Sequence, residues 1–338
     1  MDRRDFLKVG GAAAVTAGSA GAATAQSAPV ILPGASELRL ASPGLPDVPG
    51  FGPDRLARRL ELATGGRYRV VAEADAGIAD LVFADVDRQR DRHPAFAVFA
   101  GLPLGQGLDT AAHQTWLAVG GGQMLWDDLA AQFGFKPLVA GHTGPSSGLW
   151  AARRLEAAAD LTGARLHVDG LAADVVRALG ATPLLVAIDD LRAGLGEGRI
   201  DAAELLAPLC LTTPDLQPLA ERLYSPGLNA GGRVLSLDVR NEVWDRLGAA
   251  DQAIFEACAA EAYQLALMEA RAHEMMAAQV ALTSKWPVRS ALGHELSAAL
   301  ERTAGEILAD VAGRDREAQR IHDSYLAFRA MLGDAPAV

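Results

Sequence analysis

The chain has 338 residues, 50% of them hydrophobic and only 22% charged, which is enough to bury the cores of two ordinary domains and excludes wholesale disorder. Gly 35 and Pro 17 stand near average usage, so collagen-like and low-complexity classes are excluded as well. Lys+Arg 31 against Asp+Glu 42 gives a net charge of −11 with no block of basic residues, which disfavours nucleic acid as a partner.

The first signal in chain order is Arg3-Arg4, within Asp2 to Lys8, followed by an uncharged Gly/Ala/Val run and then Ala23-Thr24-Ala25 before Gln26. This order predicts a twin-arginine export signal over residues 1–25, cleaved at the small residues, and a periplasmic destination. The run is too rich in Gly, Ala, Ser and Thr to hold a helix in lipid, and no later stretch reaches the ~18 apolar residues a span needs.

After the Pro/Gly-punctuated stretch Ala28 to Gly34, Glu37 to Ala41 reads as a first strand, followed by the turn-rich Ser42 to Gly52. Pro53 and Asp54 open a helix in which Leu56, Leu60 and Leu62-Ala63 recur at helical spacing, and Gly65-Gly66 stops it before the strand Tyr68 to Ala72. Strand, helix, strand is the start of an α/β domain. Ala79 to Ala84 and Phe96 to Ala100 are further short apolar runs, helical patterns around Gln114 and Met124 flank the turn Gly120-Gly121-Gly122, and Lys136 to Gly141 reads as a crossing strand.

From Gly141 to Ala230 the logic repeats, with strands at Arg165 to Val168, Pro183 to Val186 and Ile200 to Ala202 and helices at Leu171 to Leu179 and Asp189 to Leu195. The strand Val234 to Leu237 is expected to return to the first lobe, and a chain that crosses twice makes a hinge. A helix capped by Asp251 runs to Ser284 without Gly or Pro; at 1.5 Å per residue it spans about 50 Å, so it must kink, cross both lobes or reach another subunit. Two more helices follow, Ser290 to Val311 and Asp315 to Leu332. The expected class is therefore α/β in two lobes, residues 26–140 with 231–286 as lobe I and 141–230 as lobe II, and with 287–338 as C-terminal helices packing across both.

Reaction motifs are sparse. His273-Glu274 is followed by Met-Met-Ala rather than a second His, so no zinc-hydrolase signature forms. Cys210 and Cys258 suit an oxidising compartment, but two positions fix neither geometry nor proximity. Gly144 to Gly148 satisfies Gly-x-Ser-x-Gly around Ser146, yet a nucleophile elbow needs a strand ending at the Ser and a helix after it, whereas Leu149-Trp150-Ala151 reads as extended. A periplasmic serine hydrolase using Ser146 with a downstream histidine such as His273 stays as the alternative reading. Gly120 to Gly122 lacks a following Gly-Lys-Ser/Thr and is taken as a tight turn between helices.

Several blocks, in order, resemble one family: His93 to Gly105, Trp116 to Trp126, Gly141 to Gly144, Gly163 to Ala172, Gly198 to Glu204 and Tyr325 to Arg329. Together they resemble the solute-binding proteins of tripartite ATP-independent periplasmic (TRAP) transporters, most of all the subgroup that binds 2-oxo acids. The resemblance implies a type II-like two-lobe periplasmic binding protein that hinges shut on a small organic acid, hands it to TRAP membrane subunits, forms a homodimer through the long helix, and needs no cofactor and no catalytic residue.

The resemblance also assigns a site, and the chain departs from it. His167 stands where an arginine is expected, and an imidazole lacks the bidentate fork of a guanidinium. In place of the subgroup's cation ligands the chain has Ser146 for glutamine, Glu204 kept, Leu205 for tryptophan and Ala230 for a second glutamate, so no bound metal is expected. The departures suggest a less acidic or more apolar ligand, or a sensory or scaffold paralogue. Glu204 is expected to face the cleft, so that its removal weakens binding with little loss of fold. Trp150 follows the cleft loop, Arg233 is the nearest replacement cation, and Asn229 offers an amide to a ligand.

Overall fold

The structure, a computed structural model, describes residues 35–45, 52–206, 214–283 and 288–333. The expected export signal, the stretch Ala28 to Gly34, residues 46–51 of the first turn, and Cys210, and with it the question of pairing with Cys258, lie outside the described residues.

The first half runs β1 (Ser36–Ala41), α1 (Asp54–Ala63), β2 (Tyr68–Ala72), β3 (Leu81–Asp85), α2 (Phe96–Ala100), α3 (Thr110–Ala118), α4 (Gly122–Ala131) and β4 (Phe135–His142). Then come β5 (Ser146–Ala151), β6 (Arg165–His167), α5 (Gly170–Ala178), β7 (Thr182–Leu184), α6 (Ile188–Gly196), β8 (Ala202–Leu206) and β9 (Arg222–Tyr224). The chain closes with β10 (Val234–Arg240), α7 (Asn241–Trp244), α8 (Ala249–Thr283), β11 (Val288–Ser290), α9 (His294–Ala312) and α10 (Arg316–Gly333). Several ends move from the sequence expectation. The last strand of the second α/β repeat starts at Ala202 rather than Ile200, because Asp201 turns its carboxylate onto the Arg165 backbone and side chain. Helix α8 starts two residues before Asp251, whose side chain accepts from Tyr68 and Arg67 instead of capping.

Two mixed sheets form among the described residues. The first has the order β2-β1-β3-β10-β4, parallel among β1, β2 and β3 and antiparallel around β10. The second has the order β11-β9-β5-β8-β6-β7. Strand β10 is buried along nearly its whole length, as a strand inserted between two others and covered on both faces must be. The apolar run at Phe96 to Ala100 forms a single helical turn, ended by Gly101 at φ 112°.

Hydrophobic burial builds each half separately. In the first, Phe99 stacks between Trp116 and Trp126 at centroid distances of 5.6 and 5.3 Å, and Tyr325 of α10 meets Trp116 edge-on. Gly120 and Gly122 are small because a Cβ at either would come within 2.9 Å of Trp116, which accounts for the glycine turn between α3 and α4. Leu56 and Leu60 of α1 face the first sheet, while Leu62 points away, 75% exposed. Helix α9 joins the halves: Leu296, Leu300 and Ala304 pack with α5 and the second sheet, whereas Leu308 packs with the tryptophan cluster.

The chain passes between sheets from β4 to β5 and from β9 to β10, and again from α8 to β11. Small residues make room for the first two passages. A Cβ on Gly101 would stand 2.9 Å from the Gly232 carbonyl oxygen, one on Gly232 would stand 2.0 Å from the Gly144 oxygen, and one on Gly144 would stand 2.4 Å from Ala270 Cβ of α8. The two passages therefore lie stacked between the end of α2 and the long helix, which crosses over them. Thr143 and Arg233 tie the passages together, the Thr143 amide donating to the Arg233 carbonyl at 2.9 Å and the Arg233 amide to Thr143 Oγ1 at 2.8 Å.

This packing gives a graded expectation for two glycines with the same backbone angle. Gly163, at φ 73°, has open space around its missing Cβ, so Gly163→Ala should cost only the left-handed strain, about 1–2 kcal/mol. Gly232, at φ 72°, adds a steric overlap, and Gly232→Ala should cost about 3 kcal/mol or more in urea unfolding. Equal losses in the two variants would contradict the stacked passages.

Candidate functional site

The C-terminal ends of β3 and β6, the start of β5, the end of β8 and the β9–β10 passage converge where the two sheets meet, the place where α/β sheets present ligand groups. Glu204 of β8 faces this seam. Its Oε1 accepts the Asn229 backbone N–H at 2.8 Å and its Oε2 accepts Asn229 Nδ2 at 2.7 Å, and Ser146 adds a side-chain hydrogen bond. Burial pushes the Glu204 carboxyl up from its ordinary value, against the lowering effect of these donors. Gly227 is what lets the passage lie so close, since a Cβ there would stand 2.4 Å from Glu204 Oε1 and 2.6 Å from Ser146 Oγ. Three of the sequence-predicted residues, Ser146, Glu204 and Asn229, thus form one cluster.

Arg233 is also in the seam but does not stand free. Its Nε donates to Asp85 Oδ2 at 2.7 Å, its Nη2 donates to Asp169 Oδ2 at 2.7 Å, and its Nη1 bonds the other Asp169 oxygen. Burial would lower the guanidinium, but Asp85, Asp169 and Asp87 outweigh it and hold Arg233 firmly protonated. The cation expected at this position is present in the seam, with two protein carboxylates on it. A second cross-seam pair runs from Arg90, which follows β3, to Asp174 of α5, with Asp87 3.6 Å from Arg90. Burial pushes Asp87 up to about 6 despite Arg90 and Arg233.

His167 lies at the end of β6 between the buried Leu166 and Val168, and its Nδ1 accepts the Val186 N–H at 3.4 Å. Burial lowers its pKa, opposed by Asp169, so it supplies no fixed positive charge at neutral pH. Trp150 is corrected to a core residue. It is 1% exposed among Leu191, Leu195, Leu205 and Leu223, and its Nε1 donates to Ser147 Oγ at 3.1 Å. Alternation along β5 puts its ring on the face covered by α6. Ser146 begins β5 rather than ending a strand before a helix, so the Gly-x-Ser-x-Gly match does not form a nucleophile elbow.

The positions that the resemblance aligns with a cation site offer few side-chain oxygens. Leu205 is buried in the core, Ala230 carries no side-chain oxygen, and both Glu204 oxygens already face Asn229 donors.

Sequence inspection alone missed Asp85, Asp87, Arg90, Asp169, Asp174 and Gly227. A usable signal was present for two of them: Asp85 ends β3 and Asp169 follows β6, both at carboxyl ends of parallel strands.

With this geometry in hand, known proteins are informative. A family model described as DctP, bacterial extracellular solute-binding protein, family 7, matches residues 64–306. Among curated proteins, the chain is 25% identical over 298 residues to a monocarboxylate 2-oxoacid-binding periplasmic protein of Nostoc sp., covering 83% of this chain and 80% of that protein. Similar solved structures include a TRAP periplasmic solute-binding protein from Pseudoalteromonas atlantica with bound sodium and pyruvate, at TM-score 0.79 and 21% identity, over 88% of this chain and 95% of that one. Another, from Colwellia psychrerythraea with bound calcium and pyruvate, aligns at TM-score 0.80 and 19% identity over the same shares. A third, from Bordetella bronchiseptica with calcium and picolinate, aligns at 0.78 and 22%, covering 88% and 93%. At these identities the structures establish a shared fold.

Two measurements check the site. Glu204→Ala strips Asn229 of its acceptor, so it should lower unfolding free energy by about 1–3 kcal/mol in urea, contrary to the sequence expectation of an intact fold. Beside the passages, burial pushes His142 down to about 3 and His113 to about 4, against about 6.5 in the unfolded chain. Between pH 6.5 and these values the unfolded state takes protons that the folded state refuses, so stability falls as pH falls. His142→Asn should therefore lose less stability between pH 6 and 4 than the parent, by up to about 1.4 kcal/mol per pH unit. Parallel stability–pH curves would count against a neutral buried His142.

Proposed function

The chain belongs to the DctP family, family 7 of the bacterial extracellular solute-binding proteins, and we propose that it captures a small organic acid between its two sheets for delivery to the membrane subunits of a TRAP transporter. The observation that carries this reading is the match of the family model across both sheets, together with a fold in which two strand passages and one long helix connect two α/β halves. Such a connection lets the halves open and close on a solute by bending at the passages.

In this reading, lobe I comprises residues 26–140 and 231–286, lobe II comprises 141–230, and the helices within 287–338 brace both. The ligand meets Ser146, Glu204, Asn229 and Arg233, with His167 at the rim of the same seam. Binding requires no covalent step. Residues 1–25 direct export by the twin-arginine route, supported by Arg3-Arg4 and the small-residue site at Ala23 to Ala25. Two copies pair along α8, supported by the exposed Met268, Met275 and Met276 on that helix at 60%, 64% and 57%.

A thermal-shift screen of the mature protein against mono- and dicarboxylates, amino acids, sugars and apolar acids, with and without Ca²⁺, tests the reading. The expected result is a carboxylate that raises the midpoint progressively with concentration, reaching about 2.7 kcal/mol of stabilisation at a hundredfold excess over Kd. No shift from any class would overturn the receptor assignment, and a Ca²⁺-dependent shift would overturn the reading of the cation positions.

A further inference from the structure

The Arg233 contacts bear on how this cleft takes an acid, an inference that rests on the organic-acid function proposed for the seam. The guanidinium is divided between two carboxylates of different standing. Asp85 is 12% exposed, ends β3, and accepts the Asp87 N–H at 2.9 Å, so it is built into the first half. Asp169 is 38% exposed and precedes α5, where its side chain makes no capping bond. Leaving Arg233 would cost it no helix-capping hydrogen bond. Arg233 itself stays in place, 13% exposed, its backbone bonded to Thr143 and its Nε to Asp85. The side of the guanidinium that Asp169 covers is the two-nitrogen face, the arrangement that grips a free carboxylate in two parallel hydrogen bonds.

We propose that the Nη1/Nη2 face of Arg233 is the carboxylate-binding group of this cleft, and that Asp169 occupies it in the ligand-free protein as an internal competitor that also ties the second half to the first. An incoming carboxylate takes the two-nitrogen face while Asp169 swings to solvent and Asp85 keeps the guanidinium aimed. Charge supports the exchange: burial raises the Asp169 carboxyl but the Arg233 charge and hydrogen bonds lower it further, so it is an anion competing with an anion. The arrangement also makes sense of His167. The arginine of β6, Arg165, is bonded to Asp201 and Gly198 at the start of that strand, and two residues beyond His167 the turn carries an acid that reaches the guanidinium arriving from the β9–β10 passage.

An internal competitor lowers apparent affinity by the fraction of molecules whose site is free. If Asp169 leaves the fork in one molecule of ten, Asp169→Asn binds a carboxylate about tenfold tighter than the parent. Isothermal titration of the mature protein with pyruvate as probe reads this directly. Expected are a gain of about tenfold or more for Asp169→Asn, parent-like affinity for Asp169→Glu, and loss of the gain when Arg233→Lys, which keeps the charge but not the fork, is added to Asp169→Asn. Asp169→Ser, with a side chain suited to a helix start, is read in the same way should the asparagine variant fold poorly. The proposal is overturned if neither neutral variant binds pyruvate more tightly than the parent, or if the gain survives Arg233→Lys. A parent that responds to some other solute in the thermal-shift screen, with neutral variants that ignore pyruvate, loses this proposal and keeps its receptor role; a protein that responds to nothing loses both.

Discussion

A guanidinium taken out of water demands anions around it, and Arg233 recruits them from both halves of the molecule: Asp85 from the end of one sheet's strand and Asp169 from the turn after the other's. Its own backbone belongs to neither sheet but to the passage between them, pinned to Thr143 of the other passage. The ionic tie between the halves in the seam runs through this one cation. Replacing a buried ion pair with apolar side chains is often neutral for stability, so the network is better understood as setting a geometry than as a source of folding energy.

Folding energy comes from elsewhere. The stacked Phe99, Trp116 and Trp126, the sheet cores and the two C-terminal helices bury most of the large apolar side chains. Helix α9 touches both cores, and α8 crosses the passages over Gly144. The halves are thus braced by helices on one side and joined through glycine-lined strands in the seam. The polar groups of the seam are set apart from these apolar cores.

That separation is visible in the chemistry. The fold is shared with solute-binding proteins whose structures hold pyruvate or picolinate with a cation, while in this chain Leu205 and Ala230 have no side-chain oxygen and Glu204 is enclosed by Asn229 donors. In the seam, burial disfavours a charge on His167 of β6, and the cation stands on the β9–β10 passage.

Residue patterns by themselves determined the alternation of strands and helices, the long helix without Gly or Pro, the glycine turn beside Trp116, and the family, because each of these rests on local periodicity or on contiguous blocks of sequence. They also marked Ser146, Glu204 and Asn229, the last two of which meet directly across the seam. Only the tertiary structure decided that Trp150 is core, that Arg233 is already held by two acids, and that Asp85, Asp169 and Gly227 stand beside the candidate residues in the seam. The two acids on Arg233 stand 64 and 148 residues before it in the chain. No local pattern encodes which acid a buried arginine will find; that follows from where the sheets and passages bring the carboxylates.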